Sequence, residues 1–256
     1  MTFKLAIDAG HSLYTEGRRI PRNLDPEEHR EWWLNDRVCR FIREAAARYE
    51  GFETVRVDDP TGEEDVPMSV RCARANQWGA DLFLSIHHNA GINGGSGGGI
   101  TAYSLQEGTE GASWRDCLYD AVVEETCLRG NRATPRATRN LFVLRETAMP
   151  AVLLECGFMD SAADVPVILT DRFAKSAAEA IVGAAASRAG LEKKPVATEP
   201  VGKSYQTLED VPDWGKATVE KLTAIGALKG DGSGLNLSPD LLRTLVILDR
   251  LKVLEK

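Results

Sequence analysis

The stretch "DLFLSIHH", residues 81–88, is apolar at four of the five positions from Leu82 to Ile86 and ends in two histidines. A run that is apolar on both faces is typical of a strand inside a parallel sheet, because helices cover both faces of such a sheet. Outward from this stretch, apolar strand patterns alternate with helix patterns along most of the chain. The alternation predicts an α/β fold, with a mostly parallel sheet in a three-layer αβα arrangement.

Five further segments have strand patterns, and four have helix patterns. The strand patterns are "FKLAID" (3–8), "FETVRV" (52–57), "GGGITAYSL" (97–105), "NLFVLRET" (140–147) and "PAVLLECGF" (150–158). The helix patterns are "DPEEHREWWLNDRVCRFIREAAARY" (25–49), "PMSVRCARANQWG" (67–79), "GASWRDCLYDAVVEETCL" (111–128) and "DRFAKSAAEAIVGAAASRAG" (171–190). Asp25 is a suitable N-cap and Pro26 suits the first helical position, so we expect the first helix to begin there.

The composition changes after Gly190, which predicts three parts. Residues 1–190 form the α/β domain, and residues 191–204, "LEKKPVATEPVGKS", have the charge and proline content of a linker. Residues 205–256 contain two short helical patterns, "DWGKATVEKLTAIGAL" and "PDLLRTLVILDRL". We therefore expect a small helical domain at the C-terminal end.

Composition and charge exclude several classes of protein. The chain has 256 residues, 43% of them hydrophobic, with 31 basic and 38 acidic residues and a net charge of −7. It offers no basic cluster for nucleic acid or anionic lipid, and no apolar run long enough for a membrane span. The opening "MTFKLAID" lacks the features of a secretion signal, so we expect synthesis in the cytoplasm. The five scattered cysteines are expected to be reduced.

Histidines and acids stand where strands end. Of four histidines in the chain, three follow or close strand patterns, and Glu155 ends an apolar strand; several glutamates open the first helix. Ligand sites of open α/β sheets form at the carboxyl ends of strands. Two histidines, one carboxylate and an open fourth position are typical of catalytic zinc, and a further glutamate suits a general base. The candidates are His11, His87, His88, Glu27, Glu28, Glu31 and Glu155.

Five stretches together resemble the zinc-dependent N-acetylmuramoyl-L-alanine amidases, which cut bacterial peptidoglycan. They are "IDAGH" (7–11), "EWWLN" (31–35), "RCARAN" (71–76), "ADLFLSIHHNA" (80–90) and "PAVLLECGFMDS" (150–161). They occur in the order in which the family has them and cover roughly residues 3–186. The resemblance implies one zinc ion per chain, peptidoglycan as the substrate, and cleavage of the amide between N-acetylmuramic acid and L-alanine.

The same resemblance assigns roles to single residues. It makes His11, Glu31 and His87 the zinc ligands and Glu155 the catalytic acid, with Glu28 as the alternative to Glu31. Because side chains alternate along a strand, only one histidine of the adjacent pair can face a given metal, and the family's ligand is the first. Residues expected to orient ligands or contact substrate are His88, Asn89 and Arg71; an ion-pair role in its helix is the alternative for Arg71.

Two other functions fit the same residues: a zinc peptidase that acts within the stem peptide, and a non-catalytic protein that binds the wall. Without a secretion signal, the enzyme is expected to reach the wall after release by lysis, as a phage or prophage endolysin does. Residues 208–250 resemble one S-layer-homology-like repeat, although "LLRTL" stands where the family has a TRAE-like segment. The tail is expected to target the wall, to mediate self-association or to dock as a helical hairpin.

Overall fold

The computed structural model describes residues 2–195, 204–230, 232 and 234–253. The chain divides into two compact units, Met1–Lys194 and Pro195–Lys256. Most of the predicted linker, residues 196–203, lies outside the described residues. Its first residues belong to the first unit, because the Glu50 N–H donates to the Glu192 carbonyl and the Lys194 N–H to the Arg48 carbonyl. None of the helices in the described ranges has the length and apolarity to cross a membrane.

A six-stranded sheet forms the centre of the first unit. Its strands are β1 (Phe3–Ala9), β2 (Phe52–Arg56), β3 (Leu82–Asn89), β4 (Ile100–Ser104), β5 (Arg136–Thr138) and β6 (Ala151–Phe158). The order across the sheet is β2-β1-β3-β6-β4-β5, and every neighbouring pair is parallel except β4 with β6. The two central strands are therefore β3 and β6, with β1 beside β3 and β4 beside β6.

Six helices surround this sheet: α1 (Glu31–Ala46), α2 (Met68–Trp78), α3 (Glu110–Thr126), α4 (Phe142–Arg145), α5 (Val165–Ile168) and α6 (Asp171–Ala189). Side chains alternate along each strand, so the sheet buries two faces. One face packs against α1, α3 and α6, and the other against α2 and α4. On β3, Leu84 and Ile86 face the first layer, whereas Phe83 faces the second. The predicted three-layer α/β fold is confirmed.

The first helix begins later than the sequence predicts. Asp25 is not its N-cap; the Asp25 carboxylate accepts the N–H groups of Glu27 and His29, at 3.2 and 2.7 Å, and closes a turn. Glu28 has a left-handed φ of 50°, a conformation that cannot continue a right-handed helix. The prediction of a helix from Asp25 was therefore wrong, and α1 starts at Glu31.

The segment "NLFVLRET" (140–147) is not a strand. It contains the single-turn helix α4, which buries Val143 and Leu144 against the second face of the sheet. The edge position beside β4 is filled instead by Arg136–Thr138, which sequence patterns did not indicate. An apolar run of four residues suits a buried helical turn as well as a strand, which is why periodicity misassigned it.

The described residues of the second unit form two helices, α7 (Asp213–Ala224) and α8 (Pro239–Arg250), as the sequence predicts. A small core of its own joins them, and a backbone bridge links Tyr205 to Leu237. Ser238 caps α8 by accepting the Leu241 N–H at 3.2 Å. Two residues of the connecting glycine-rich segment, 231 and 233, lie outside the described residues. The buried core residues are Tyr205, Val211, Val219, Leu237, Leu242 and Val246.

Candidate active site

Three predicted ligands meet at the carboxyl edge of the sheet. His11 follows β1, His87 lies near the end of β3, and Glu31 is the first residue of α1. His87 Nδ1 is 3.0 Å from Glu31 Oε1, and His11 Nε2 is 3.3 Å from Glu31 Oε2. One donor atom from each residue lies within 4.8 Å of the other two, a spacing that could hold a metal ion.

The turn at Gly10 and His11 creates this approach. The Gly10 N–H donates to the Ile86 carbonyl at 3.0 Å, and the Gly10 carbonyl accepts from Asn35 Nδ2 at 3.1 Å. A Cβ atom at residue 10 would overlap the imidazole of His87, so only glycine fits between the two strands. His11 then takes a left-handed φ of 69°, which turns its side chain back toward Glu31.

Glu31 is buried and strongly anionic. Only 1% of its side chain is exposed. Burial alone would raise its pKa, but the adjacent imidazoles of His11 and His87 hold the pKa of Glu31 well below its usual range. Glu31 Oε2 has no partner of hydrogen-bond geometry among the described residues. A buried carboxylate with an unsatisfied oxygen, flanked by two imidazoles, offers the nitrogen and oxygen donors of a catalytic zinc site, so these residues fit zinc.

Glu155 stands beside this group on the neighbouring strand. It pairs in register with His87 across β3 and β6. Glu155 Oε2 is buried and has no hydrogen-bond partner among the described residues. Burial raises the pKa of Glu155 to about 7. A carboxyl group with such a pKa can both accept and release a proton near neutral pH, which is the property that a general acid–base residue needs.

The two adjacent histidines differ as the sequence predicts. His87 faces the ligand group, whereas His88 is turned toward α1, where its Nδ1 lies 2.7 Å from Asn35 Oδ1. His88 is 2% exposed, and burial lowers its pKa to about 3, so its ring is neutral. Since Asn35 Nδ2 donates to the Gly10 carbonyl, Asn35 Oδ1 must accept, and His88 carries its proton on Nδ1.

The remaining candidates lie in different surroundings. Arg71 is buried and donates to Asp8 Oδ1 at 2.7 Å and to the His11 carbonyl at 3.1 Å, so it ties β1 and the histidine turn to α2. Asn89 Nδ2 lies 3.4 Å from Thr101 Oγ1 on β4. Glu28 is outside the ligand group, because its carboxylate pairs with Arg22 at 2.9 Å.

A cavity of about 720 Å³ opens on the ligand group. Its lining includes the three ligands, Glu155, and a rim that sequence patterns did not single out. Asn35 received no role from the sequence, although its place four residues after Glu31 on a helix puts it on the same face. The rim residues carry no motif and are brought there by the fold; among them are Arg18, Asp65, Met68, Asn140, Leu141 and Phe142.

Fold and site together define an α/β protein with a candidate metal centre at the carboxyl edge of its sheet. The chain belongs to the N-acetylmuramoyl-L-alanine amidase family Amidase_3, whose model matches residues 5–187. The family expected from the five sequence stretches is thereby confirmed. The match ends before the C-terminal unit, so the resemblance of the tail to an S-layer-homology-like repeat stays a prediction.

Relatives carry names of the same kind. Over 171 residues the chain is 33% identical to the N-acetylmuramoyl-L-alanine amidase CwlM of Bacillus licheniformis. The aligned stretch covers 66% of this chain and 62% of that protein. It is 32% identical over 147 residues to the endolysin of Bacillus phage SPP1, across 57% of this chain and 52% of the endolysin. The chain thus spans about half to two thirds of the length of these two curated relatives.

Solved structures share the fold. The crystal structure of an N-acetylmuramoyl-L-alanine amidase from Clostridium difficile 630 superposes with a TM-score of 0.65 and 25% identity, over 74% of this chain and 97% of that one. The catalytic domain of CwlV from Bacillus (Paenibacillus) polymyxa also gives a TM-score of 0.65, at 21% identity, over 75% of this chain and 100% of that one. The aligned share corresponds to the size of the α/β unit.

Proposed function

We propose that this protein is a zinc-dependent amidase that hydrolyses the bond between N-acetylmuramic acid and the L-alanine of the peptidoglycan stem peptide. His11, Glu31 and His87 hold the zinc ion. The observation that carries the proposal is the juxtaposition of this group with Glu155 on the adjacent strand, at the floor of one cavity. Family membership supports the choice of bond.

Zinc, when bound, supplies a Lewis acid that polarises the scissile carbonyl and makes water a better nucleophile at neutral pH. Glu155 takes a proton from the attacking water on a carboxylate oxygen and then gives a proton to the leaving nitrogen of L-alanine. Burial holds the pKa of Glu155 at about 7, so its carboxyl group can change its protonation state near neutral pH. The neutral ring of His88 keeps Asn35, and with it the Gly10–His11 peptide, in place.

The role of an endolysin follows from two observations. The relative from phage SPP1 is named as one, and hydrolysis of the wall by the proposed amidase is the activity that such a role needs. The enzyme would then act on the wall after release. The tail, a separate compact unit, would keep the enzyme on the wall, since a net charge of −7 gives no attraction to an anionic wall. Self-association through the tail is the alternative.

The test combines metal analysis with product analysis. Purified protein should contain about one zinc per chain. Treatment of purified walls should release new amino termini on L-alanine. New termini at other stem residues would indicate the zinc peptidase, and binding without any new termini would indicate a non-catalytic wall-binding protein. Either result would contradict the proposed bond specificity.

A further inference from the structure

Arg18 stands at the rim of the active-site cavity with its donors unused. Its side chain is half exposed, and its Nη1 lies 3.8 Å from Glu31 Oε2. Within the described part of the chain, the Arg18 guanidinium makes no hydrogen bond to any protein group. A guanidinium presents five N–H donors in a rigid fork that matches a carboxylate. Such a fork facing a cavity points to an anionic ligand.

The backbone at this position is fixed even though the side chain is not. The Glu31 N–H donates to the Arg18 carbonyl at 3.0 Å, and the next residue, Arg19, bridges to Arg30. The Cα atom of Arg18 is thus held beside the first residue of α1, next to the ligand group. The location of Arg18 is set by the fold, whereas its half-exposed guanidinium makes only a long ion pair with Glu31, at 3.8 Å, among the described residues and can also meet a ligand.

The other charges of the cavity make Arg18 distinctive. The described lining carries four carboxyl groups, on Asp8, Glu31, Asp65 and Glu155, and two guanidinium groups, on Arg18 and Arg71. Arg71 is fully engaged with the protein. Asp65 does not neutralise Arg18, because its two oxygens accept from Thr15 and Arg71. Of the two guanidinium groups in the described lining, Arg18 is therefore the one with donors left for an anionic group of a substrate.

We propose that Arg18 binds a substrate carboxylate and thereby selects stem peptides in which the residue after L-alanine keeps a free α-carboxylate. The inference rests on the proposed amidase function. That residue is a glutamic acid joined to the next one through its side chain, so its α-carboxyl group is either free or amidated by the host. This glutamic acid lies one residue beyond the scissile amide. Its carboxylate would therefore reach a side chain beside the metal ligands, such as Arg18, rather than the ligands themselves.

The geometry favours binding of the substrate over stabilisation of charge that develops in the reaction. A group that stabilises a transition state is pre-organised by its own hydrogen bonds, since reorganisation would cost part of the benefit. Arg18 lacks such bonds and is half exposed. A two-pronged ion pair with a carboxylate would order the side chain when the substrate binds. Arg18 is therefore a specificity residue, and its loss should raise KM rather than lower kcat.

The experiment compares two synthetic muropeptides that differ only at this group, one with the free carboxylate and one with the carboxamide. The variants are Arg18→Gln and Arg18→Lys. Arg22→Gln is the matched control, because this substitution removes the same charge from the same loop. Arg22 pairs with Glu28 and does not line the cavity. We expect the unmodified protein and Arg22→Gln to prefer the acid. Arg18→Gln should raise KM for the acid by about 10-fold or more and leave the amide unchanged.

Arg18→Lys should recover part of the preference, since it keeps the charge and loses the fork. Equal cleavage of both muropeptides by the unmodified protein would overturn this inference and leave the proposed function standing. Cleavage of neither by a zinc-loaded protein would instead contradict the proposed function. A fall in kcat by the same factor on both muropeptides in Arg18→Gln would also overturn it, because that result assigns Arg18 to the reacting carbonyl.

Discussion

Replacing Gly10 by alanine should weaken zinc binding without unfolding the protein. The new methyl group would occupy the space of the His87 imidazole. The backbone cannot move aside, because its N–H is bound to Ile86 and its carbonyl to Asn35. Gly10 does not have a left-handed φ, so alanine adds no backbone strain. The ring of His87 must therefore move away from Glu31 Oε1, from which it now lies 3.0 Å.

The size of the effect follows from the cost of overpacking. Forcing a methyl group into a filled site costs about 1–3 kcal/mol. If the whole cost falls on the position of one ligand, zinc affinity drops by about 5- to 150-fold, since about 1.4 kcal/mol corresponds to a factor of ten. The cost to the metal-free protein should be smaller, because the displaced ring is 17% exposed and can turn toward the cavity.

Competition with a chelator measures zinc affinity, and thermal unfolding of the metal-free protein measures stability. Gly183→Ala is the control: Gly183 lies within α6, nothing lies within 4 Å of its added Cβ, and alanine there should stabilise the helix by up to about 1 kcal/mol. Unchanged zinc affinity in Gly10→Ala would refute the argument, since it would mean that His87 holds no metal or that the turn yields. A large loss of stability without zinc would show that the methyl disrupts the sheet instead.

Three other substitutions and one truncation test the remaining assignments. Glu155→Gln should retain zinc and fold but lose about 10²–10⁴-fold in activity, because the amide cannot carry the proton; loss of zinc would make Glu155 a ligand. His87→Ala should lose zinc, whereas His88→Ala should keep it. The His88→Ala variant should lose about 1–3 kcal/mol of stability, because Asn35 Oδ1 then lacks its buried donor. The reverse pattern in metal content would mean that His88 is the ligand. A chain ending at Lys194 should still cleave soluble muropeptides, since all four site residues precede the cut. It should lose activity on intact walls, because a targeting tail raises the local concentration of the enzyme there. Equal activity on both substrates would argue against a targeting tail.

The central strands could be predicted because their apolar runs are long and end in polar residues. The runs after Asp81 and before Glu155 became the two central strands, and the run before His11 lies next to them. Strand ends are where sheet topology brings side chains together. The separation of His87 from His88 also followed from the alternation of side chains in a strand. These predictions depend on local patterns that tertiary contacts reinforce.

The failures come from contacts that no local pattern contains. Pro26 and Asp25 resemble a helix start, yet the Asp25 carboxylate finds two N–H groups in a turn and Glu28 adopts a left-handed φ. The short apolar run around Val143 is compatible with both a strand and a helical turn. It forms the turn because that conformation packs Val143 and Leu144 against the sheet. Arg18 has no motif at all; its place at the cavity depends on the pairing of its loop with α1.

The position of β6 determines when the site can become complete during synthesis. It is the last of the six sheet strands along the chain, yet it lies between β3 and β4 in the sheet. Until residues 151–158 emerge from the ribosome, β3 and β4 keep open edges that can pair with other chains, so the nascent protein has most need of a chaperone at that stage. The three ligands are already made by then, but Glu155 arrives with the strand itself. Closure of the sheet and the arrival of Glu155 beside the proposed ligands are therefore one event, and a chain that ends before residue 151 would lack both an interior strand and this carboxyl group.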